Sequence, residues 1–189
     1  MDTQELSGRL FRYIVLIPHK DALKRLDEYR QTLFSAGFYG AFSFPAAAPL
    51  AAVSRPFTLA ELKELSSNIR GRTKEKKGKI RCGAIIRINY GEKLACFGPV
   101  LDLHMGEELI PGTAASKIIN IFSQPVFCAA LTPDEEKPFP KESPALSFRA
   151  ASLANLALRP LDSGAPGYSF EWHTGPRIWL PKYKEDKKA

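Results

Sequence analysis

The order of strand-like and helix-like segments limits the fold of this chain more than any other feature. Segments rich in aromatic and β-branched residues, typical of strands, alternate with segments whose apolar residues recur at helical spacing. Helices mixed with antiparallel strand pairs favour an α+β fold over a doubly wound parallel sheet. The predicted strands or extended stretches cover residues 11–18, 42–57, 80–90, 93–103, 126–131, 148–158 and 168–180, and the predicted helices cover 20–36, 58–70 and 113–122.

Two of these helices carry terminal signals. Gly37 follows the last apolar position of the first helix, where a glycine C-terminal cap belongs. Thr58 and Glu61 lie three residues apart ahead of an apolar run, which predicts a capping box at the start of the second helix. Further along, residues 89–92 separate two strand segments so closely that they predict a hairpin.

The composition is that of one ordinary globular domain. The chain has 189 residues, of which 44% are apolar. Its longest apolar run, 46–53, contains a proline and is far shorter than the roughly 20 residues of a membrane-spanning helix. Residues 1–10 lack the apolar core of a secretory signal, and Cys82, Cys96 and Cys128 have neither disulfide-framework nor metal-ligand spacing. We therefore expect a cytoplasmic protein with free thiols, no membrane partner, no metal and no cofactor.

Positive charge is concentrated in one part of the sequence. The net charge is +7, a basic segment at 70–81 opposes seven cations to the single acid Glu75, and residues 182–189 add four lysines. Such runs attract polyanions such as RNA through Coulomb forces and counterion release, or they simply keep a loop and a tail soluble. The residues expected to bind a polyanion are Arg70, Arg72, Lys74, Lys76, Lys77 and Lys79.

Two segments about 100 residues apart share a pattern. Residues 50–57 read Leu-Ala-Ala-Val-Ser-Arg-Pro-Phe, and residues 153–161 read Leu-Ala-Asn-Leu-Ala-Leu-Arg-Pro-Leu. The shared skeleton is Leu-Ala-x-[Val/Leu] followed by Arg-Pro and an apolar residue, with one residue of slip. Because each copy ends a predicted strand in a corresponding half of the chain, the echo indicates two related halves.

These segments and the element order resemble the two-histidine phosphoesterase superfamily, which includes 2′-5′ RNA ligases and cyclic nucleotide phosphodiesterases. The resemblance implies two pseudo-symmetric lobes, each an antiparallel sheet backed by helices, around a central groove. It also implies one His-x-Thr-Leu type motif on a strand of each lobe. Both motif histidines are missing here, because Leu50 and Leu153 stand in their places, and Ala52 and Asn155 replace the threonines.

The missing histidines remove the chemistry that the resemblance implies. In such a site one histidine acts as general base and the other as general acid, while the hydroxyls hold the phosphate charge. Leucine transfers no proton and alanine offers no hydrogen-bond donor, so the expected groove is apolar, suited to a neutral or partly apolar ligand or filled by side chains. Since residues i and i+2 of a strand share a face, the expected groove-lining residues are Leu50, Ala52, Ser54, Leu153, Asn155 and Ala157.

Three histidines remain as candidate catalytic groups. His19 follows the first predicted strand, His104 ends another, and His173 lies in the last extended stretch. His173 is the best of the three, although its immediate neighbour Thr174 does not reproduce the His-x-Thr spacing. The acidic residues near His104 form no recognisable metal set, and the sequence contains no glycine-rich phosphate loop.

The domain organisation expected from this resemblance is a single bilobal domain over residues 1–181. Its approximate halves, 11–103 and 104–181, exchange strands, and residues 182–189 form a basic tail. The favoured function is that of a catalytically degenerate 2′-5′ RNA ligase-like protein that binds a ligand or a partner. Two alternatives stay open: an active phosphoesterase on RNA or cyclic nucleotide ends with relocated groups such as His173, His104 or Arg177, and an electrostatic nucleic-acid binder.

We expect the basic segment to bind single-stranded RNA weakly and electrostatically. The affinity should fall steeply as salt rises, because binding releases counterions condensed on the phosphate backbone. Fluorescence anisotropy of a labelled RNA, titrated with protein at about 50 mM and about 200 mM salt, measures this dependence. Binding that is insensitive to salt would exclude the electrostatic mode, and no binding at low salt would remove the nucleic-acid hypothesis.

Overall fold

The order of elements confirms the predicted α+β class. The computed structural model of the protein describes residues 10–89, 95–132, 138, 142–161 and 169–181. Its strands are β1 (Phe11–Pro18), β2 (Ala48–Val53), β3 (Ile80–Asn89), β4 (Ala95–Leu101), β5 (Ile118–Ile121), β6 (Ala130–Thr132), β7 (Ser147–Phe148), β8 (Ala151–Leu161), β9 (Ser169–Thr174) and β10 (Ile178–Trp179). Its α-helices are α1 (Lys20–Ser35) and α2 (Leu59–Arg72), and 3₁₀ turns lie at Tyr39–Phe42, Glu107–Leu109 and Gly112–Lys117.

These strands form two antiparallel sheets. The first sheet has the order β10-β8-β1-β2-β5, with β9 pairing β8 beyond the end of β10, and the second has the order β6-β4-β3-β7. Strands β3 and β4 pair as the predicted hairpin requires, and the turn residues 90–94 lie outside the described residues. The first sheet takes strands from both halves of the chain, because β8 pairs with β1.

Strand β1 distributes its side chains between two buried clusters on opposite faces of the first sheet. Ile14 and Leu16 belong to the α2 cluster, which holds Leu62 and Leu65 of helix α2 together with Phe57. The alternate side chains of β1, at positions 13, 15 and 17, belong to the Tyr13 cluster. The members of this cluster include Tyr13, Val15, Ile17, Phe44, Cys96, Cys128, Leu156 and Phe170. Burying a leucine or isoleucine side chain contributes about 1.5 to 3 kcal/mol, so both faces of β1 stabilise the fold.

The second sheet is backed by the C-terminal end of α1 and the turn that follows it. Leu33 and Phe38 pack with Ile85 of β3 and Phe97 of β4 in a third buried cluster. Each sheet therefore has a helix packed against it, with α2 on the first sheet and the end of α1 on the second.

The predicted end signals of both helices are confirmed. Gly37 has φ of 88°, and the N–H of Gly37 and of Phe38 donate to the carbonyls of Phe34 and Leu33, a Schellman cap. The Thr58 hydroxyl accepts from the Glu61 N–H, and the Glu61 carboxylate accepts from the Thr58 N–H, a capping box.

The predicted third helix at 113–122 is wrong. A 3₁₀ turn at Gly112–Lys117 leads directly into strand β5, which pairs with the edge of β2. Three of the four residues of β5 are isoleucines, and β-branched side chains lose less entropy in a strand than in a helix. The free edge of β2 then decides the conformation.

Two predicted strands have different bounds in the structure. The segment predicted at 126–131 runs along β4, where the Ala129 N–H donates to the Phe97 carbonyl, but only Ala130–Thr132 forms a regular strand. A Cβ at Gly98 would lie 1.6 Å from the Phe127 carbonyl oxygen, so only glycine permits this close approach. The segment predicted at 148–158 divides between the sheets, since β7 pairs β3 and β8 pairs β1.

A nearly buried ion pair fixes the start of α2 to the residue that precedes β5. The Lys117 Nζ donates to both carboxylate oxygens of Glu61, at 2.8 and 2.7 Å. Burial alone raises the pKa of Glu61, but the hydrogen bonds from Lys117 and Thr58 outweigh burial and bring this pKa below its ordinary value of 4.5. No helix among the described residues is long and apolar enough to cross a membrane.

We expect Glu61→Gln to lower the free energy of unfolding at pH 7 by about 1 to 3 kcal/mol, because Lys117 loses a charged partner. Since the folded pKa of Glu61 is lowered, its stabilisation is present above the unfolded pKa and is lost as pH falls through the folded pKa. Urea unfolding of the native protein and the variant at pH 7 and below about pH 4 measures both effects.

The matched control is Glu28→Gln, which breaks an exposed pair whose Nζ–Oε1 distance is 3.9 Å. It should change stability by no more than about 0.5 kcal/mol. Equal effects of the two substitutions, or a Glu61→Gln difference that persists at low pH, would contradict the assignment.

Candidate functional site

Both echoing segments form strands, and they lie side by side in one sheet. Residues 50–53 belong to β2 and residues 153–157 belong to β8. Each strand is antiparallel to β1, so β2 and β8 run parallel to each other with β1 between them. We expect from the resemblance that the two segments face each other across a groove. They lie instead on either side of β1 in one sheet, so this expectation is wrong.

The two leucines at the histidine positions are core residues. Leu50 and Leu153 are both 0% exposed and belong to the same α2 cluster. Neither side chain reaches a solvent-filled groove, so the prediction that they line one is wrong. Phe57, which closes the first motif segment, is buried in this cluster as well.

A β-bulge separates the faces on which Leu50 and Ala52 lie. The pairing of β2 with β1 shifts between Ile14↔Ala51 and Val15↔Pro49, so Leu50 is the extra residue. Leu50 therefore packs into the α2 cluster, whereas Ala52 packs against the Tyr13 cluster on the other face. The expectation that both share one face is wrong, because the i, i+2 rule holds only for a regular strand.

The two polar side chains at the predicted groove are bonded to backbone groups. The Asn155 carbonyl oxygen accepts from the Phe57 N–H at 2.8 Å, and the Asn155 amide donates to the Phe57 carbonyl at 2.9 Å. The Ser54 hydroxyl donates to the Lys117 carbonyl at 3.2 Å. Asn155 therefore acts as a clamp that joins β8 to the segment before α2 through two hydrogen bonds. Both polar atoms of its side-chain amide are used in these bonds.

The histidines do not gather into one site. His19 precedes α1 and packs its ring 5.9 Å from that of Trp179, His104 is exposed after β4, and His173 is exposed on β9. His173 pairs with Ala157 across the strands, which places it on the opposite face of β9 from Trp172 and Thr174. No cluster of three metal-ligating side chains occurs among the described residues. Burial raises the pKa of the Cys82 thiol to about 12, so this thiol is no ready nucleophile.

The basic segment is partly helix and partly turn. Helix α2 continues to Arg72, two residues beyond its predicted end at residue 70, and a turn follows to Gly78. Arg70 is half-buried and donates to the carbonyls of Gly78 and Arg149, whereas Lys76 pairs with Asp102. The exposed cations of the segment are Arg72, Lys74, Lys76, Lys77 and Arg81, and Lys79 is half-buried.

The strongest candidate site is a cleft of about 500 Å³ beside helix α1, which we call the α1 cleft. One wall comes from α1, a second from residues 42–47, and a third from β9 and Arg177. The lining combines apolar and aromatic side chains with a few polar groups, as ligand pockets do. The residues used below are Asp27, Arg30, Phe42, Trp172, Thr174 and Arg177.

Arg30 organises the α1 cleft from below. It is only 4% exposed, and its guanidinium donates to the carbonyls of Ala41 and Phe44 and to the Asp27 carboxylate at 3.2 Å. Its guanidinium carbon lies 4.8 Å from the centre of the Phe42 ring. Burial lowers the pKa of Arg30, and the Asp27 carboxylate opposes part of that shift. Arg30 thus holds residues 41–44 in place while lining the cleft.

One signal for this site was present in the sequence. Arg30 follows Leu26 by four residues on the buried side of α1, where an apolar residue is expected. A cation on such a stripe indicates a buried ionic or hydrogen-bonded contact. Arg177 was considered as a relocated group, but no sequence pattern indicated that Trp172 and Phe42 would lie against the same cleft.

The comparisons with known proteins bring no match. No protein-family model matches this chain, and no curated protein or solved structure matches it.

We expect Asn155→Ala to lower the free energy of unfolding by about 2 kcal/mol, because the Phe57 N–H and carbonyl both lose their partner. Asn68→Ala is the matched control, since the Asn68 amide donates a single bond, to the Leu109 carbonyl. That control should cost about 1 kcal/mol. Chemical denaturation of the three proteins measures the differences, and an Asn155→Ala effect no larger than that of Asn68→Ala would argue against the clamp.

Proposed function

We propose that this protein is a catalytically degenerate member of the 2′-5′ RNA ligase-like superfamily that works by binding and not by turnover. The observation that carries the proposal is the complete burial of Leu50 and Leu153, the residues at the two histidine positions. The echo of the two segments and their equivalent places beside β1 support the family assignment.

Leu50 and Leu153 cannot catalyse phosphodiester cleavage. A general base and a general acid are required, together with donors that hold the phosphate charge. The described residues supply no proton-transfer group there, and the amide of Asn155 is already bonded to Phe57. A binding protein needs none of these groups.

The α1 cleft supports the binding part of the proposal. Its volume of about 500 Å³ lies within the range of small-molecule sites. Its walls carry exposed aromatic rings and a buried cation, the combination of apolar surface and fixed polar groups that gives a ligand affinity and orientation.

The exposed cations of the basic segment favour a second candidate, electrostatic binding of nucleic acid. Arg72, Lys74 and Lys77 are exposed on and after the last turn of α2, and no ion pair within the described residues neutralises them. Such a patch binds phosphates without reading sequence.

We expect the purified protein to show no hydrolysis of a 2′,3′-cyclic nucleotide above the uncatalysed rate. Loss of one general acid or base costs on the order of a hundredfold to ten-thousandfold in rate, and both are missing here. Chromatographic detection of the nucleoside monophosphate product, over hours and at high protein concentration, measures the rate.

The control separates the degenerate protein from an enzyme with relocated groups. Robust turnover by the native protein would overturn the proposal, and loss of that turnover in His173→Ala would place the relocated site on β9. Leu50→His with Leu153→His should remain inactive, because both positions lie in the core, and a folded, active double variant would contradict the structural explanation.

A further inference from the structure

The buried cation of the α1 cleft has unused hydrogen-bonding capacity. A guanidinium carries five N–H groups, and Arg30 donates three of them to Ala41, Phe44 and Asp27. The two others are the second N–H groups of Nη1 and Nη2, and each of these nitrogens already donates one hydrogen bond. A ligand acceptor in the cleft could add to the hydrogen bonds that these nitrogens already make.

The charge balance of the α1 cleft fits one negative charge. Two guanidinium groups, Arg30 and Arg177, and one carboxylate, Asp27, line the cleft, which leaves a net charge of +1 from these residues. Arg177 is exposed and makes no ion pair or hydrogen bond within the described residues. The Asp27 carboxylate would repel a second negative charge, so a monoanion suits the cleft better than a dianionic phosphate monoester.

The aromatic walls fit a planar body. Trp172 and Phe42 are 46% and 44% exposed although they are large apolar side chains. Pairing with Leu158 sets Trp172 on the cleft face of β9, and Thr174 lies on the same face two residues on. Exposed aromatic rings beside a cavity offer faces for stacking, and stacked aromatic pairs are favourable beyond the area that they bury.

We propose that the α1 cleft binds a monoanionic carboxylate that carries a planar aromatic body. The aromatic body stacks on Trp172 beside Phe42, and the carboxylate accepts hydrogen bonds from Arg177, with Arg30 as the second cation of the cleft. This inference rests on the proposed binding function, and it names the class of ligand.

The test uses naphthalene-2-carboxylate as the probe and follows the two indole N–H resonances of the full chain by NMR. The resonance of Trp172 should shift on titration, while that of Trp179, which does not line the cleft, should stay in place. The dissociation constant of so small a ligand should be on the order of 1 mM or tighter.

Neutral and dianionic comparators establish the charge requirement. Naphthalene-2-carboxamide has the same ring without the charge and should bind at least about threefold more weakly. Adenosine 5′-monophosphate offers an aromatic ring with a dianion, and it too should bind more weakly. A carboxamide that binds as tightly as the carboxylate would overturn the proposal, and a nucleotide that binds more tightly would replace the carboxylate by a phosphate.

Matched variants locate the site. Arg177→Gln and Trp172→Leu should each weaken binding about threefold to tenfold, and Trp179→Leu should leave it unchanged, with thermal unfolding confirming that all three fold. Unchanged affinity in the first two variants, or no binding at all, would overturn the ligand assignment. Either result would overturn only the ligand assignment and not the proposed function. Turnover of a cyclic nucleotide would overturn the proposed function, whether or not the probe binds.

Discussion

Strand β1 imposes the main constraint on this structure, because its backbone is buried and both of its edges need hydrogen-bonding partners. One edge is taken by β2, some 30 residues away in the sequence, and the other by β8, near the opposite end of the chain. The places of β2 and β8 in the first sheet depend on this arrangement. It brings residues 48–53 and 151–158 into equivalent surroundings, each antiparallel to the same buried strand, and this gives the echo between the two segments a physical basis.

The same arrangement accounts for what became of the motif positions. Leu16 lies opposite Ala48 on one side and Leu153 on the other, and all three belong to the α2 cluster. A leucine there stabilises the core, whereas a histidine would bring a polar ring into it. Asn155 has a structural role, the clamp on Phe57. In both segments the apolar residues pack in the core, and the polar side chain of Asn155 supports the backbone.

The α1 cleft owes its form to a single unusual residue. Arg30 occupies a position on the buried stripe of α1 and holds residues 41–44 through their carbonyl groups. Those bonds provide a donor for the carbonyls of Ala41 and Phe44, both of which belong to buried residues. Arg30 therefore supports residues 41–44 and also places a positive charge at the wall of the cleft. The Asp27 carboxylate pairs with this charge.

The sequence by itself determined the features that depend on neighbours a few residues apart. The capping box at Thr58 and the Schellman cap at Gly37 rest on hydrogen bonds within one helical turn, and segments rich in aromatic and β-branched residues identified strands. It also placed the two echoing segments on strands, and it marked Arg177 as a group of interest. These predictions needed no knowledge of distant parts of the chain.

Only the tertiary structure decided which faces, edges and cavities those elements form. Residues 118–121 became a strand because the edge of β2 was free, and residues 147–158 divided because two sheets compete for them. The bulge at Leu50 reversed the face of Ala52, which a regular period of two does not reveal. The cleft joins Asp27, Phe42 and Trp172 from three distant segments. Such convergence depends on long-range pairing and packing, and no local pattern encodes it.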